Sequence, residues 1–254
     1  MEKQMTKPIA LQLYTVRDQL AGDFAGTMRR IAAMGYVGVE AFPDGVTAAS
    51  AKRLFDELGL TVCAAHAPLP LGDQKQETLD RVAALGCTRL VCAWLPPDEY
   101  KSVDSIRRLC ERVNEAAAVA GEHGLTLALH NHWFEFEPVE GTRPYHLWQQ
   151  YLDPAVEVEL DTYWAQVGGV DPVVALKELG KRVTLLHVKD GPADAPQSDM
   201  TAVGQGTLNY EAIIPAATAV EWLVVELDRC ATDMLTAVQQ SYTYLTEKGL
   251  AYGK

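Results

Sequence analysis

Positive charge is in deficit in this chain. Against 34 aspartates and glutamates it carries 22 lysines and arginines, a formal charge of −12 over 254 residues. Nucleic-acid affinity comes largely from cationic side chains neutralising phosphates, so no nucleic-acid partner is expected. Cysteine is also sparse. Cys63, Cys87, Cys92, Cys110 and Cys230 are odd in number, scattered and mostly inside apolar runs, which reads as buried thiols in a reducing cytoplasm. No apolar run approaches transmembrane length, and the opening MEKQMTKPIA has no apolar signal core, so a soluble, cytoplasmic protein without a membrane partner is predicted. No Pro/Gly/Ser linker divides the chain and no repeat stands out beyond an alternation of elements. One domain over residues 1–254 is expected, and the 48% hydrophobic content supports a large core.

What the chain does have is a regular alternation of strand-like apolar runs and amphipathic helical stretches. The strand candidates are Ile9 to Tyr14, Val37 to Phe42, Thr61 to His66, Arg89 to Trp94, Leu125 to Asn131, Val156 to Asp161, Val183 to Val188 and Trp222 to Leu227. Between them the plainest helices are Gly26 to Met34, Ala48 to Leu58, Gln76 to Leu85, Ser102 to His123, Pro172 to Leu179 and Met234 to Lys248. Gly35, Gly59, Gly86, Gly124 and Gly180 stand where helix C-caps prefer glycine. Near-continuous apolar strands imply a sheet covered on both faces, and eight such units predict an α/β fold, a (β/α)₈ TIM barrel. The alternative is a doubly wound open sheet, but the first strand runs into LQLYTVRDQL rather than a glycine-rich phosphate loop. The long irregular segment over residues 191–207 is expected to be an active-site loop.

Four strands end in chemistry. LALHNHWFEFE carries His130, VEVELD ends at Asp161, VTLLHVKD carries His187 and WLVVELD carries Glu226. In a barrel the catalytic side chains come from the C-terminal ends of different strands, so these four, on adjacent strands, are predicted to meet. Two imidazoles and two carboxylates suit one divalent ion such as Zn²⁺, Mn²⁺ or Co²⁺. Taken singly, His187 reads as a core histidine and Asp161 as a turn cap; Glu226 after an apolar run is costly to bury unpaired. Glu226 is the expected base, with His132 or Lys189 as the acid. Lys189, two residues past His187, projects to the same side of an extended strand. Glu40, His66, Trp94, Glu135, Trp164 and Lys189 are candidate substrate contacts, the two indoles as faces for a sugar ring.

The segments LQLYTVRD, GYVGVEAF, HNHWFEFEP, LDTYW, HVKDG, GQGTLNYEAI and VVELD together cover nearly the whole chain. Through them it resembles the sugar phosphate isomerase/epimerase group with xylose isomerase-like barrels, which includes ketose 3-epimerases, inosose dehydratases and, more distantly, AP endonucleases. The resemblance implies a divalent metal at His130, Asp161, His187 and Glu226, and chemistry on a carbohydrate through an enediolate. One departure is visible: many family epimerases have glutamate where this chain has His130, in an ALEN-like context that reads ALHN here. Of the two opposed glutamate bases only Glu226 is left, so a dehydratase or lyase expelling a β-oxygen stands beside an isomerase or epimerase. With few cations near the strand ends, an unphosphorylated keto sugar, keto-cyclitol or keto-glycoside is the expected small-molecule partner, and a homo-oligomer is left open. Two rivals come from other classes. A DNA-repair nuclease would need a basic groove, and an inert sugar-binding protein would not need the complete quartet.

Overall fold

The computed structural model describes residues 6–41 and 45–254; the first five residues and Phe42, the expected end of the second strand, lie outside them. Among the described residues the strands are β1 (Lys7–Gln12), β2 (Gly38–Ala41), β3 (Thr61–His66), β4 (Arg89–Cys92), β5 (Thr126–His130), β6 (Glu157–Asp161), β7 (Val183–Val188), β8 (Trp222–Val225) and β9 (Ala251–Tyr252). The first eight pair in sequence order, all parallel, and β1 pairs with both β2 and β8, which closes the barrel. The expected (β/α)₈ architecture is therefore the observed one, and the open doubly wound sheet is excluded by the closing pair. The two-residue β9 was not expected; it adds to β1 at Lys7 and Pro8.

Helices fill the crossovers: α1 (Arg17–Gly22), α2 (Phe24–Met34), α3 (Ala48–Glu57), α4 (Lys75–Ala84), α5 (Val103–Glu122), α6 (Pro144–Tyr151), α7 (Thr162–Val167), α8 (Pro172–Leu179), α9 (Tyr210–Ala216) and α10 (Met234–Glu247). The longest, α5, opens on a reciprocal cap in which the Ser102 and Ser105 side chains each accept from the other residue's backbone N–H. Gly35 ends α2 with a φ of 108°, a conformation that only glycine adopts without strain. The cysteines are all free thiols, four of them buried. No helix among the described residues is long and apolar enough to cross a membrane.

Side-chain alternation along the strands explains how a polar site comes to sit on an apolar barrel. Ala10, Ala64, Val91, Ala128, Leu185 and Val224 form a small apolar cluster of their own, separate from the large core between sheet and helices. These are inward-facing positions, one layer inside the barrel. Two residues further along each strand the same face is met again. Those positions are Gln12, His66, Ala93, His130, His187 and Glu226. Beneath the apolar layer, Trp222 packs into the space left at Gly38, where a Cβ would come within 2.4 Å of the indole.

Candidate active site

Asp161, the last residue of β6, uses its two oxygens for different tasks. Oδ1 accepts the Trp164 N–H at 2.9 Å and caps α7, while Oδ2 turns to Lys189 Nζ, 2.8 Å away. The capping role and the site role coexist. Asn131 brackets its backbone: Oδ1 accepts the Asp161 N–H at 2.8 Å, and Nδ2 donates to the Asp161 carbonyl at 3.2 Å. The polar HNH run at the end of β5 therefore stitches β5 to β6 as well as presenting His130.

The four expected ligands are brought together. His130, Asp161, His187 and Glu226 are buried and each offers one atom within 4.8 Å of the others. His187 Nδ1 lies 2.8 Å from Glu226 Oε2 and 3.9 Å from Asp161 Oδ2, and His130 Nε2 is 3.9 Å from Asp161 Oδ2. Asp161 Oδ2, His187 Nδ1 and Glu226 Oε2 are all enclosed and none has a well-aligned hydrogen bond. Buried polar atoms without aligned hydrogen bonds are costly, and for the two oxygens the ammonium of Lys189 offsets part of that cost. A convergent set of two carboxylate oxygens and an imidazole nitrogen fits a borderline divalent cation.

Lys189 reaches the same oxygens. Its Nζ is 2.8 Å from Asp161 Oδ2, 2.6 Å from Glu226 Oε2 and 2.8 Å from Asp228 Oδ2, close enough for strong ion pairing though poorly aligned for hydrogen bonds to the first two. Burial would strip its proton, but Asp161, Asp228 and Glu226 outweigh burial and keep the ammonium charged. Burial lifts Asp161 to about 6 against the pull of Lys189 and His187. For Glu226 burial also pushes upward, but Lys189 and His187 prevail and hold the carboxyl below its ordinary range. Burial, reinforced by His187, keeps His130 neutral. Burial and then Lys189 bring His132 down to about 3.

A second group lies one layer deeper: Glu40, His66, Glu159 and His187, again with ligand-type atoms within 4.8 Å. Glu159 was not anticipated from sequence. Its signal was the alternation in VEVELD, which places Glu159 two residues before Asp161 and hence on the same inward face. Burial would raise Glu159, but His187 and His66 hold it below the usual carboxylate range.

Above the quartet opens a cavity of about 350 Å³. Among the described residues its walls are mainly Trp94, Trp133 and Trp164; His66, His130, Lys189 and Glu226 reach its floor, and Tyr14, Pro196, Asp228 and Arg229 its rim. His132 also lines it, with the Trp94 ring edge-on at 4.7 Å. Trp94 is 53% exposed, its indole set edge-on against His132 and Phe134 at the mouth. Trp133, Asp228 and Arg229 were not singled out from sequence because they lie in loops beyond the strand ends.

Two expected substrate contacts, Glu40 and Glu135, do not line the cavity. Glu40 is fully enclosed beneath His187, where Oε2 receives the Gln12 amide at 2.6 Å and lies 2.7 Å from His187 Nε2. Glu135 is turned back into its own loop, with Oε2 accepting the His132 N–H at 2.9 Å. Burial raises it to about 8, so it is an anchor of the HNHWFE turn that is readily kept protonated. His66 and Trp164 do reach the cavity.

The residue 191–207 loop folds over a single carboxylate. Asp190 Oδ1 accepts the N–H groups of Gly191 (2.9 Å) and Leu208 (3.2 Å), and Oδ2 those of Gly204 (2.9 Å) and Gly206 (3.1 Å). A Cβ at Gly206 would fall 2.1 Å from Asp190 Oδ1, so the GQG turn needs a glycine there for close approach.

The sequence model of the family described as Xylose isomerase-like TIM barrel matches residues 28–247. Among solved structures, a sugar phosphate isomerase/epimerase from Parabacteroides distasonis is 25% identical, with a TM-score of 0.83 over 99% of this chain and 97% of that one. A probable 3-DHS dehydratase from Bacillus anthracis (14% identity, TM-score 0.74, 94% and 98% coverage) and an L-ribulose 3-epimerase (15%, 0.67, 97% and 95%) share the fold. No curated protein matches the sequence at a significant level.

Proposed function

Since the chain belongs to the xylose isomerase-like TIM barrel family, we propose that it is a divalent-metal-dependent enzyme acting on a keto sugar, keto-cyclitol or keto-glycoside by removal of a proton next to the carbonyl. The observation that carries this reading is the convergence of Asp161 Oδ2, His187 Nδ1 and Glu226 Oε2, buried, short of well-aligned hydrogen bonds and with Lys189 Nζ beside both oxygens, below an open aromatic-walled cavity. His130, Asp161, His187 and Glu226 would hold the ion, which when bound would neutralise the negative charge of an enediolate.

The chain's own residues do the rest. Glu226 is ionised at the cavity floor and is the base. Of the two expected acids, Lys189 carries a proton, whereas His132 is neutral and serves better as a hydrogen-bond partner for a substrate oxygen. Trp94, Trp133 and Trp164 offer apolar faces for a sugar ring and exclude water from the reacting side.

The substrate is an unphosphorylated one. Phosphate recognition usually draws on free backbone amides or clustered cations. The amides of the GQG turn are taken by Asp190, and Lys189 is committed to three carboxylates; Arg229 alone among the lining residues brings an arginine to the rim. The test is metal analysis of the purified protein, followed by incubation with keto sugars and keto-cyclitols in deuterated water. Metal-dependent deuterium incorporation is expected, with the products read for inversion, isomerisation and loss of a β-oxygen. A protein that neither binds a divalent ion nor exchanges any such proton when supplied with one would overturn the reading.

A further inference from the structure

We infer that the cavity has two levels and that the outer one, between Trp94 and Tyr14, binds a planar apolar ring joined to the reacting sugar, which makes the substrate a keto-glycoside with an aromatic aglycone. The inference rests on the function proposed above and narrows its substrate. Among the described residues the large apolar side chains left exposed are Tyr14, Trp94, Val174 and Tyr252. Two of these line this one cavity. Single exposed apolar residues are ordinary, but rings gathered at one opening mark a binding surface. The strands that precede them, β1 and β4, have β2 and β3 between them, so the two rings belong to separate stretches of the rim. Both are held in place. The Trp94 indole is edge-on to His132 and to Phe134, with centroids 4.7 and 5.8 Å away. The Arg17 guanidinium lies 4.1 Å over the Tyr14 ring and is itself fixed by donating to the Tyr14 and Asp228 carbonyls at 2.9 and 3.0 Å. Rings already fixed lose little freedom when a ligand stacks on them.

The inner level belongs to the sugar. Trp164 is buried there with Lys189 Nζ 5.3 Å from its ring, and Trp133 packs on it at 5.3 Å. From His130 at the floor the rings climb through His132 to Trp94, with centroids 5.2 and 4.7 Å apart at the two steps. A sugar seated against Trp164, with its reacting carbon near Glu226, therefore leaves the Trp94 face to whatever group the sugar carries. The cavity volume of about 350 Å³ lies at the lower end of the range for drug-sized ligands, roughly 300–1,000 Å³, which suits two linked rings. The outer level favours an aromatic ring over a second sugar because its polar groups are engaged within the protein. Asp228 Oδ2 receives Lys189 at 2.8 Å, the Asp228 carbonyl receives Arg17, and Arg229 Nη1 donates to the Pro196 carbonyl at 2.7 Å. A second sugar would bring several hydroxyls that give up water for no new partner, whereas a flat apolar ring asks only for faces.

The test uses unreactive glycosides, so that binding is read without turnover. Phenyl glycosides, methyl glycosides and disaccharides built on glucose, galactose and xylose are titrated calorimetrically against the native protein, Trp94→Ala and Trp94→Phe. For at least one sugar the phenyl glycoside is expected to bind about tenfold or more tightly than its methyl counterpart and than the disaccharide, which is about 1.4 kcal/mol and the scale of one aromatic contact. Trp94→Ala should bring the phenyl-to-methyl ratio to within about twofold, while Trp94→Phe, which keeps a ring, retains most of it. Should Trp94→Ala fail to fold, Tyr14→Ala provides the same reading from the other stretch of the rim. Phenyl glycosides that bind no better than methyl ones or not at all, disaccharides that bind better than either, or a phenyl preference that survives Trp94→Ala would overturn the inference. A protein that binds no divalent ion and exchanges no proton would instead defeat the proposed function, while the phenyl-to-methyl ratio still decides this one.

Discussion

Replacing Lys189 with methionine separates the stability of the metal-free site from the cation affinity proposed for it. The substitution keeps a long apolar stem and deletes an ammonium that is 2.6–2.8 Å from three carboxylates. Asp228, 25% exposed, can turn to water, but Asp161 and Glu226, at 0% and 6%, cannot. Removing one partner of a buried ion pair costs about 3–5 kcal/mol, since the other charge stays desolvated. In a protein of this size each kcal/mol moves Tm by roughly 2–4 °C, so melting in EDTA should fall by roughly 6–20 °C. The metal-loaded protein should lose much less, because the oxygens the ammonium held are those a divalent ion would take. By linkage, the affinity for Mn²⁺ or Zn²⁺ must then rise, and recovery of only 1.4 kcal/mol already corresponds to about tenfold. Calorimetric melts with EDTA and with saturating metal, together with titration of the metal-free protein, give both quantities. A Tm loss in EDTA below about 3 °C, or a weakened metal affinity, would refute the claim that ammonium and ion share Asp161 and Glu226.

Glu226→Gln should keep much of the metal affinity through its amide oxygen and lose at least about 10²-fold in α-proton exchange; near-native exchange in the metal-loaded variant would place the base elsewhere. Glu135, lifted to about 8 by burial, stabilises the fold while protonated, so that contribution is complete below the unfolded carboxyl range and fades as pH rises toward 8. Glu135→Gln should flatten denaturation stability between about pH 5 and 8, and an unchanged pH profile would contradict the assignment. A neutral keto sugar or keto-cyclitol should have a higher kcat/KM than its phosphate ester, and a strong preference for the ester would restore a sugar-phosphate substrate.

The strand ends were the most legible part of the site, because a His, Asp or Glu closing an apolar run is costly to bury without a purpose. Depth inside the barrel was not legible. Glu40 and Glu226 both belong to strand ends, yet barrel stagger sets one beneath His187 and the other at the cavity floor. Glu159 was hidden by reading β6 as one apolar run when its residues alternate. The helices not foreseen are short: α1 has six residues and none buried, α6 has eight, α7 follows Asp161 directly, and α9 contains Pro215. None runs much beyond two turns, too few for a period of 3.6 to show itself clearly. The long helices appeared with bounds within two residues of expectation, and the closing contact of β1 with β8 followed from the count of strands.

Asp190 gives the loop after β7 the character of a receptor whose ligand is tethered to it. Four backbone N–H groups point at two oxygens that cannot diffuse away, so the local concentration of anion is fixed and very high. Asp190→Ala would leave that receptor standing open to whatever small anion the solution holds. Acetate should then restore the loop's protection against hydrogen exchange where chloride does not, and inorganic phosphate should compete for the same amides. A single carboxylate thus fills a nest of amides that would otherwise offer a small anion a ready-made place.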